Sequence, residues 1–310
     1  MGANKSKPTI LLENQLFSAG KSIVGSVKIC IPEPQSDFQL IIKLIQIEFV
    51  TYLAGGEGEW HNNNHEYCVS ELVLKKSSYL KAGFYDYPFE LITPITLPGS
   101  METCDNYHKA SISYKLVCIA QSGKGAQVKS SAKVLIKQHF EASKSLCGSN
   151  KSELKILSTF GRGNSEIMVD LAKSFYEVGE IVNLQVTVDN RGSEIPLKHV
   201  IVKLIRGVRF QYKKESWEQR EQKVFTYKYP VIVPNSTGLA NFKTFSFAFP
   251  LNLKRKYSKG SGTAIGKIVE TKYFFEVFGV FGKLLNDLKV CVPVIVRPSE
   301  LKADTTLIDN

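Results

Sequence analysis

Strand-forming residues recur along almost the whole chain. In the segments 41–50, 111–119, 182–188 and 272–278, β-branched or aromatic residues mostly alternate with polar ones, as expected of strands with one face in a core. Glycine, proline and small polar residues separate these segments, and no window of helical length shows a helical period. The pattern predicts an all-β protein built from antiparallel sandwiches.

An internal repeat with an offset of about 159 residues organises the chain. Aromatic, glycine and aliphatic positions recur in the same order and at nearly constant spacing. The matching pairs are 17–29 with 176–188, 41–46 with 201–206 and, more loosely, 113–116 with 272–275. The repeat predicts two tandem copies of one sandwich. The alternative is that unrelated strands merely look alike.

The repeat also predicts the domain organisation. We expect a flexible N-terminus at 1–8, a first immunoglobulin-like β-sandwich at 9–145, a linker at 146–156, a second sandwich at 157–298 and a flexible tail at 299–310. The linker is predicted there because serine, lysine, glycine and asparagine accumulate in that part of the chain.

Short motifs follow one another through both halves. They are Phe17–Val27, Tyr87–Leu91, Leu97–Ser100, Ile112–Leu116, Tyr176–Glu180, Val188–Asn190 and Val294–Pro298. In this order they resemble the arrestin superfamily, especially the α-arrestins, also called arrestin domain-containing proteins. The resemblance covers about residues 8–298.

The resemblance implies two arrestin-like sandwiches and an adaptor without catalytic activity. The chain contains no PPxY motif, with which many α-arrestins recruit ubiquitin ligases. The charged polar core of the visual and β-arrestins cannot be placed on this sequence. Ligase recruitment by that route and phosphate-triggered activation are therefore not implied. A retromer-type arrestin-like subunit of an endosomal coat is an alternative on the same fold.

Charge is unevenly distributed along the 310 residues, whose net charge is +11. Residues 1–150 carry 15 lysines, no arginine and 13 acids, whereas residues 151–310 carry 25 basic residues and 16 acids. This asymmetry suits an anionic partner, although a lysine-rich surface also serves solubility. Scattered cysteines, no apolar leader and no uninterrupted apolar span predict a protein of the reducing cytosol.

The N-terminus fits the N-myristoylation pattern, with Gly2 after the initiator methionine and Ser6 at the required position. One myristoyl chain binds membranes only marginally, so a second contact is needed. Lys5 and Lys7 are predicted to supply part of it at an anionic membrane surface. The plainer interpretation is an unmodified flexible N-terminus.

A basic cluster in the second half is predicted to supply the rest of the membrane contact. It consists of Lys254, Arg255, Lys256 and Lys259. The cluster lies in a predicted turn, where side chains can meet lipid phosphates. The alternative is a solvated charge cluster. Nucleic acid is not expected as a partner, since the acylation pattern and the predicted fold point elsewhere.

A polar, glycine-rich loop is predicted between Tyr52 and Tyr67, and it carries one tryptophan. Such a loop on a rigid scaffold is a candidate partner-binding element, and it occupies the place of a receptor-probing loop in arrestins. The predicted contact residues are Glu57, Glu59, Trp60 and His61. The alternative is a mobile hairpin tip without a binding role.

No catalytic, metal or cofactor site is predicted. His61, His65 and Cys68 lack a fourth ligand at a fixed spacing, and we expect the histidines in surface loops. The segment 260–267 looks like a phosphate-binding loop, but its glycine spacing is wrong and Ile268 stands where serine or threonine is required.

The sequence thus predicts an α-arrestin-like cytosolic adaptor, peripheral on the plasma membrane or endosomes. Its predicted partners are membrane proteins, such as receptor or transporter tails, and the trafficking machinery, with roles in endocytosis, protein transport or signal transduction. The alternatives are the retromer-type subunit and a lipid- or metal-binding sensor.

Overall fold

A computed structural model describes residues 7–54, 59–104, 108–123, 127–140, 146–156, 160–213, 216–233, 242–251, 253, 262–282 and 287–298. These residues form strands and turns, without a helix. The described part of the chain accordingly offers no helix with the length and apolarity to cross a membrane. The strands form sandwich-like sheets in two halves, which confirms the predicted all-β class.

Nine strands lie in the described part of the first half. They are β1 (Thr9–Leu12), β2 (Leu16–Ser18), β3 (Ser22–Ile31), β4 (Gln35–Ala54), β5 (Glu59–Leu80), β6 (Gly83–Ile92), β7 (Met101–Cys104), β8 (His108–Ser122) and β9 (Val128–Lys137). One sheet has the order β1-β3-β6, and the other has the order β2-β9-β8-β4-β5 with β7 paired to β8. Apolar residues from both sheets form the first core.

Among the described residues of the second half, ten strands are formed. They are β10 (Leu146–Ile156), β11 (Phe160–Leu171), β12 (Phe175–Glu177), β13 (Ile181–Ser193), β14 (Leu197–Lys213), β15 (Ser216–Val233), β16 (Phe242–Pro250), β17 (Ala264–Ile265), β18 (Val269–Val280) and β19 (Leu288–Arg297). One sheet has the order β10-β11-β13-β16, and the other has the order β12-β19-β18-β14-β15 with β17 paired to β18.

The two halves share one topology. The order β2-β9-β8-β4-β5 recurs as β12-β19-β18-β14-β15, and in each half the short first strand of that sheet pairs in parallel. A register shift falls between Leu44 and Ile45 in one half and between Leu204 and Ile205 in the other. This agreement in topology and irregularity is what duplication of one sandwich predicts.

Two of the family-like motifs meet in the first core. The buried Tyr114 hydroxyl donates a hydrogen bond of 2.7 Å to the Pro98 carbonyl, and the Ser100 hydroxyl accepts one from the Ile136 amide. Burial, helped by nearby Tyr67, raises the pKa of Tyr114 far above its ordinary value, so the hydroxyl keeps its proton and remains a donor. The motif 97–100 is thereby fixed against β8 and β9.

Residues 146–156, predicted as a linker, form strand β10 instead. This strand pairs antiparallel with β11, from Leu146 opposite Leu171 to Ile156 opposite Phe160. Strand β10 is the edge strand of its sheet. The domain boundaries themselves stay predictions.

The repeated glycines Gly20 and Gly179 provide a test of the shared turn. Their φ angles are +81° and +91°, a region that costs an L-residue about 1–2 kcal/mol. We expect Gly179→Ala to lower the free energy of unfolding by about that amount. Gly20→Ala should cost more, because a Cβ there would lie 3.2 Å from Ile95. Chemical denaturation measures both.

Gly207→Ala is the matched control for these two variants, since its added Cβ would meet its nearest neighbour at an ordinary 3.7 Å. We expect this variant to unfold close to the wild type. Equal stability of the Gly179→Ala and Gly207→Ala proteins would contradict the proposed strain at the turn.

Candidate functional site

The predicted Trp60 loop is shorter than expected, because most of it belongs to a long hairpin. Strand β4 continues to Ala54 and β5 begins at Glu59, with Leu53 paired to Trp60. The prediction of a loop from Tyr52 to Tyr67 was therefore wrong. Backbone pairing satisfies the hydrogen bonds of this stretch whatever its side chains, so its polar composition misled the prediction.

The tip of this hairpin carries the exposed side chains that sequence reasoning selected. Trp60 is 53% exposed, and exposed His61 stacks on Tyr52 with ring centroids 5.4 Å apart. The backbone of Glu59 is part of β5, but its side chain lies outside the description, as does the whole of Glu57. Trp60 and His61 thus lie together at the end of a two-stranded arm, and their binding role stays a prediction.

Most residues of the predicted membrane contact lie outside the described part of the chain. Only Lys7 is described, and it is exposed just before β1. The other predicted residues lie outside the described ranges; they are Gly2, Lys5, Lys254, Arg255, Lys256 and Lys259.

The histidines lie mostly in strands and not in the expected loops. His61 and His65 belong to β5, His108 to β8 and His199 to β14. Among the described residues, no group of three or more histidine, cysteine, aspartate or glutamate side chains is placed to hold a metal ion. His108 instead packs against Phe210 of the second half, with ring centroids 5.0 Å apart.

The contact between the two halves contains a fully buried carboxylate, Glu48 on β4. Its Oε1 accepts a hydrogen bond of 2.9 Å from the backbone amide of Lys267, and its Oε2 accepts one of 2.8 Å from Ile268. The Gln46 side-chain amide donates a third, of 2.9 Å, to Oε1. A buried charge is costly unless it is satisfied, and these three donors provide that satisfaction.

Gly266 allows the turn before β18 to approach this carboxylate. A Cβ at Gly266 would lie 2.6 Å from Glu48 Oε2, which is too close for any side chain. The Gly266 amide also donates a hydrogen bond of 2.8 Å to the Val269 carbonyl and closes the turn. The glycine-rich segment that looked like a phosphate loop therefore presents its amides to a carboxylate of the same molecule.

Other polar contacts join the halves around Glu48. Gln138 Oε1 accepts hydrogen bonds from the amides of Gly99, in its own half, and Ile265, in the other. The Asn63 side chain donates to the Gln211 carbonyl at 3.1 Å. In each of these contacts between the halves, a side chain of the first half forms a hydrogen bond with the backbone of the second half. Hydrogen bonds require specific distances and angles, so these contacts form only when the two halves keep this relative position.

Apolar packing continues across the same contact. Val208, Phe210 and Ile268 of the second half belong to the core cluster of the first half. The Lys267 ammonium lies 4.6 Å from the ring centroid of Tyr67. Burial, together with nearby Glu48, raises the pKa of Tyr67 to about 12. The second sandwich therefore contributes apolar side chains to the core of the first, in addition to the hydrogen bonds across the contact.

Sequence reasoning missed this interface, although one signal was available. Glu48 interrupts the longest apolar run of the chain, Leu40–Val50, and an acid in such a strand is a candidate for a buried, satisfied charge. Its two donors from the other half are backbone amides more than 200 residues away. Any residue type but proline carries such an amide, so the sequence does not identify them. Only Gly266 hints at a close approach.

Comparison with known families agrees with this architecture. The family model described as "Arrestin (or S-antigen), C-terminal domain" matches residues 161–301, which make up most of the second half. This match supports membership of the arrestin superfamily. Arrestin-family proteins are in general non-enzymatic adaptors. The search of curated proteins gave no match.

The Glu48 contact leads to a quantitative prediction. We expect Glu48→Gln to lower the free energy of unfolding by about 2–4 kcal/mol, because it removes a charge-assisted acceptor and directs an amide toward buried donors. The control is Glu71→Gln on the adjacent strand, whose partly exposed carboxylate lies 2.6 Å from Lys43 Nζ. It should cost less than about 1 kcal/mol. Equal losses in chemical denaturation would contradict a buried role for Glu48.

Proposed function

We propose that the protein is an arrestin-like adaptor without catalytic activity that binds membrane cargo and links it to trafficking or signal regulation. Its partners would be receptor or transporter tails together with trafficking proteins. The observation that carries this proposal is the β4–β5 hairpin, an arm with strands of 20 and 22 residues whose tip exposes Trp60.

Two features of the arm support a binding role. First, the arm is braced, since Asn63 donates a hydrogen bond to Gln211 of the second half and Glu48 fixes the same strand pair further along. A braced element loses little freedom on binding, which favours affinity. Second, tryptophan is one of the residue types enriched among the side chains that contribute most to binding at protein interfaces.

The proposal places the adaptor on the cytosolic face of the plasma membrane or endosomes. The anchor would be a myristoyl chain on Gly2, joined by Lys5, Lys7 and the basic cluster at residues 254–259. Two signals are needed because one acyl chain alone gives marginal binding, and each lysine or arginine near an anionic surface contributes about 1 kcal/mol. The exposure of Lys7 is consistent with this arrangement.

Trp60→Ala tests the arm. We expect this variant, expressed in its native cell, to lose captured membrane proteins by about tenfold after cross-linking and mass spectrometry, because it removes a central aromatic contact. Val73→Ala is the matched control, as Val73 is also exposed on β5 but lies away from the tip. Unchanged capture would refute the role of the arm. Capture of a fixed stoichiometric complex would favour a retromer-type subunit.

Gly2→Ala tests the anchor. We expect intact mass spectrometry of the native protein to show a myristoyl group and removal of the initiator methionine. The Gly2→Ala protein should then move from the membrane fraction to the supernatant, because its basic residues alone hold it weakly. An unacylated N-terminus with unchanged membrane association would refute the anchor.

A further inference from the structure

A groove of about 590 Å³ lies on the outer face of the sheet β1-β3-β6. Three of its lining residues are Leu11, Val24 and Pro88, one from each strand. Leu11 is opposite Ser26 on β3, and Ser26 is opposite Pro88 on β6, so one row of paired residues crosses the groove. Neighbouring residues such as Ile23 and Leu91 point into the core instead, which shows that the groove lies on the solvent side.

The apolar character of this face is unusual for the solvent side of an antiparallel sheet. Such a face is normally polar, with alternation along each strand. Here Leu11 is 43% and Val24 37% exposed, and Ile92 extends the apolar path at 70% exposed. These side chains form a small apolar contact surface, which suits an apolar ligand of limited size.

The rim of the groove is acidic. Glu13 and Glu90 line it, and both are exposed. A ligand that contacts both the apolar residues Leu11, Val24 and Pro88 and the two acids combines an apolar chain with nearby positive charge. The groove is open to solvent, so a ligand there would lie along the sheet surface and stay partly exposed.

The N-terminal segment of the same chain has this combination. It carries the acylation signal at Gly2 and the charges of Lys5 and Lys7, and it leads into β1, which forms one wall of the groove. Five residues lie between Gly2 and the buried Pro8, and the chain from Gly2 to Pro8 can span about 20 Å. Strand β1 is only about 13 Å long, so the segment can fold back along it.

We propose that this groove binds the myristoyl chain of its own N-terminus, which then exchanges between the groove and the membrane. The proposal rests on the acylation at Gly2 that the proposed function invokes. Lys5 and Lys7 would pair with Glu13 and Glu90 in the folded-back state and with lipid head groups in the membrane-bound state. Because one myristoyl chain binds membranes only marginally, a groove with weak affinity for the chain is sufficient to compete with the membrane for it.

The test compares acylated and unacylated full-length protein on vesicles of neutral phosphatidylcholine. The test variant is Leu11→Thr/Val24→Thr, which makes the groove more polar and places threonine, a good strand former, at each site. We expect the acylated variant to bind vesicles about tenfold more tightly than the acylated wild type, because the competing site is lost. Without the acyl chain, the two proteins should bind equally.

Val73→Thr is the matched control, since it alters an exposed valine on the other sheet and should leave vesicle binding unchanged. A second measurement needs no variant: with ¹³C-labelled myristate on the wild type, we expect nuclear Overhauser contacts between acyl methylenes and the Leu11 and Val24 methyls. This measurement decides the matter if the double variant is unstable.

Three results would overturn the proposal. If acylated variant and wild type bind vesicles equally, or the labelled chain contacts neither methyl, the groove proposal fails while the anchor stands. If the native protein carries no acyl group, the anchor and the groove proposal fail together. If unacylated wild type forms dimers that the double variant abolishes, a second copy of the chain covers this face.

Discussion

The placement of the two sandwiches depends on one buried charge, the carboxylate of Glu48. Taking a carboxylate out of water is costly, and the cost is offset only when hydrogen-bond donors surround it. Here two backbone amides of the other half and one side-chain amide provide them. Only glycine at position 266 lets the turn before β18 come this close to the carboxylate. The turn and strand β4 must therefore keep their relative positions. Surfaces on both halves can then act as one binding unit.

The internal repeat relates the buried residues on the two sides of this contact. At the offset of the matching strands, Gln46 and Glu48 correspond to Arg206 and Val208. All four are buried. Val208 packs into the first core, and Arg206 donates a hydrogen bond of 3.1 Å to the Glu102 carbonyl. Equivalent strands thus face each other across the contact, one presenting a carboxylate and the other a guanidinium and an apolar side chain.

The fold could be predicted well because strand periodicity and the internal repeat are both written in the order of residue types. Alternation identified the strands, and the repeated Gly20 and Gly179 located matching turns. The sequence predicted the site less well, since polar residues such as Asn63 suggested a loop although backbone pairing makes them part of a strand. The donors to Glu48 from the other half are backbone amides, which every residue but proline carries, so no pattern of side chains could reveal them.

Hydrogen exchange at the amides of Lys267 and Ile268 tests the central claim most directly. Both amides are held by a buried carboxylate, so they should exchange as slowly as core amides of β4 and only through global unfolding. Exchange at the rate of an open turn, with β4 still protected, would show that the two sandwiches separate readily. The account of a single braced unit would then be contradicted.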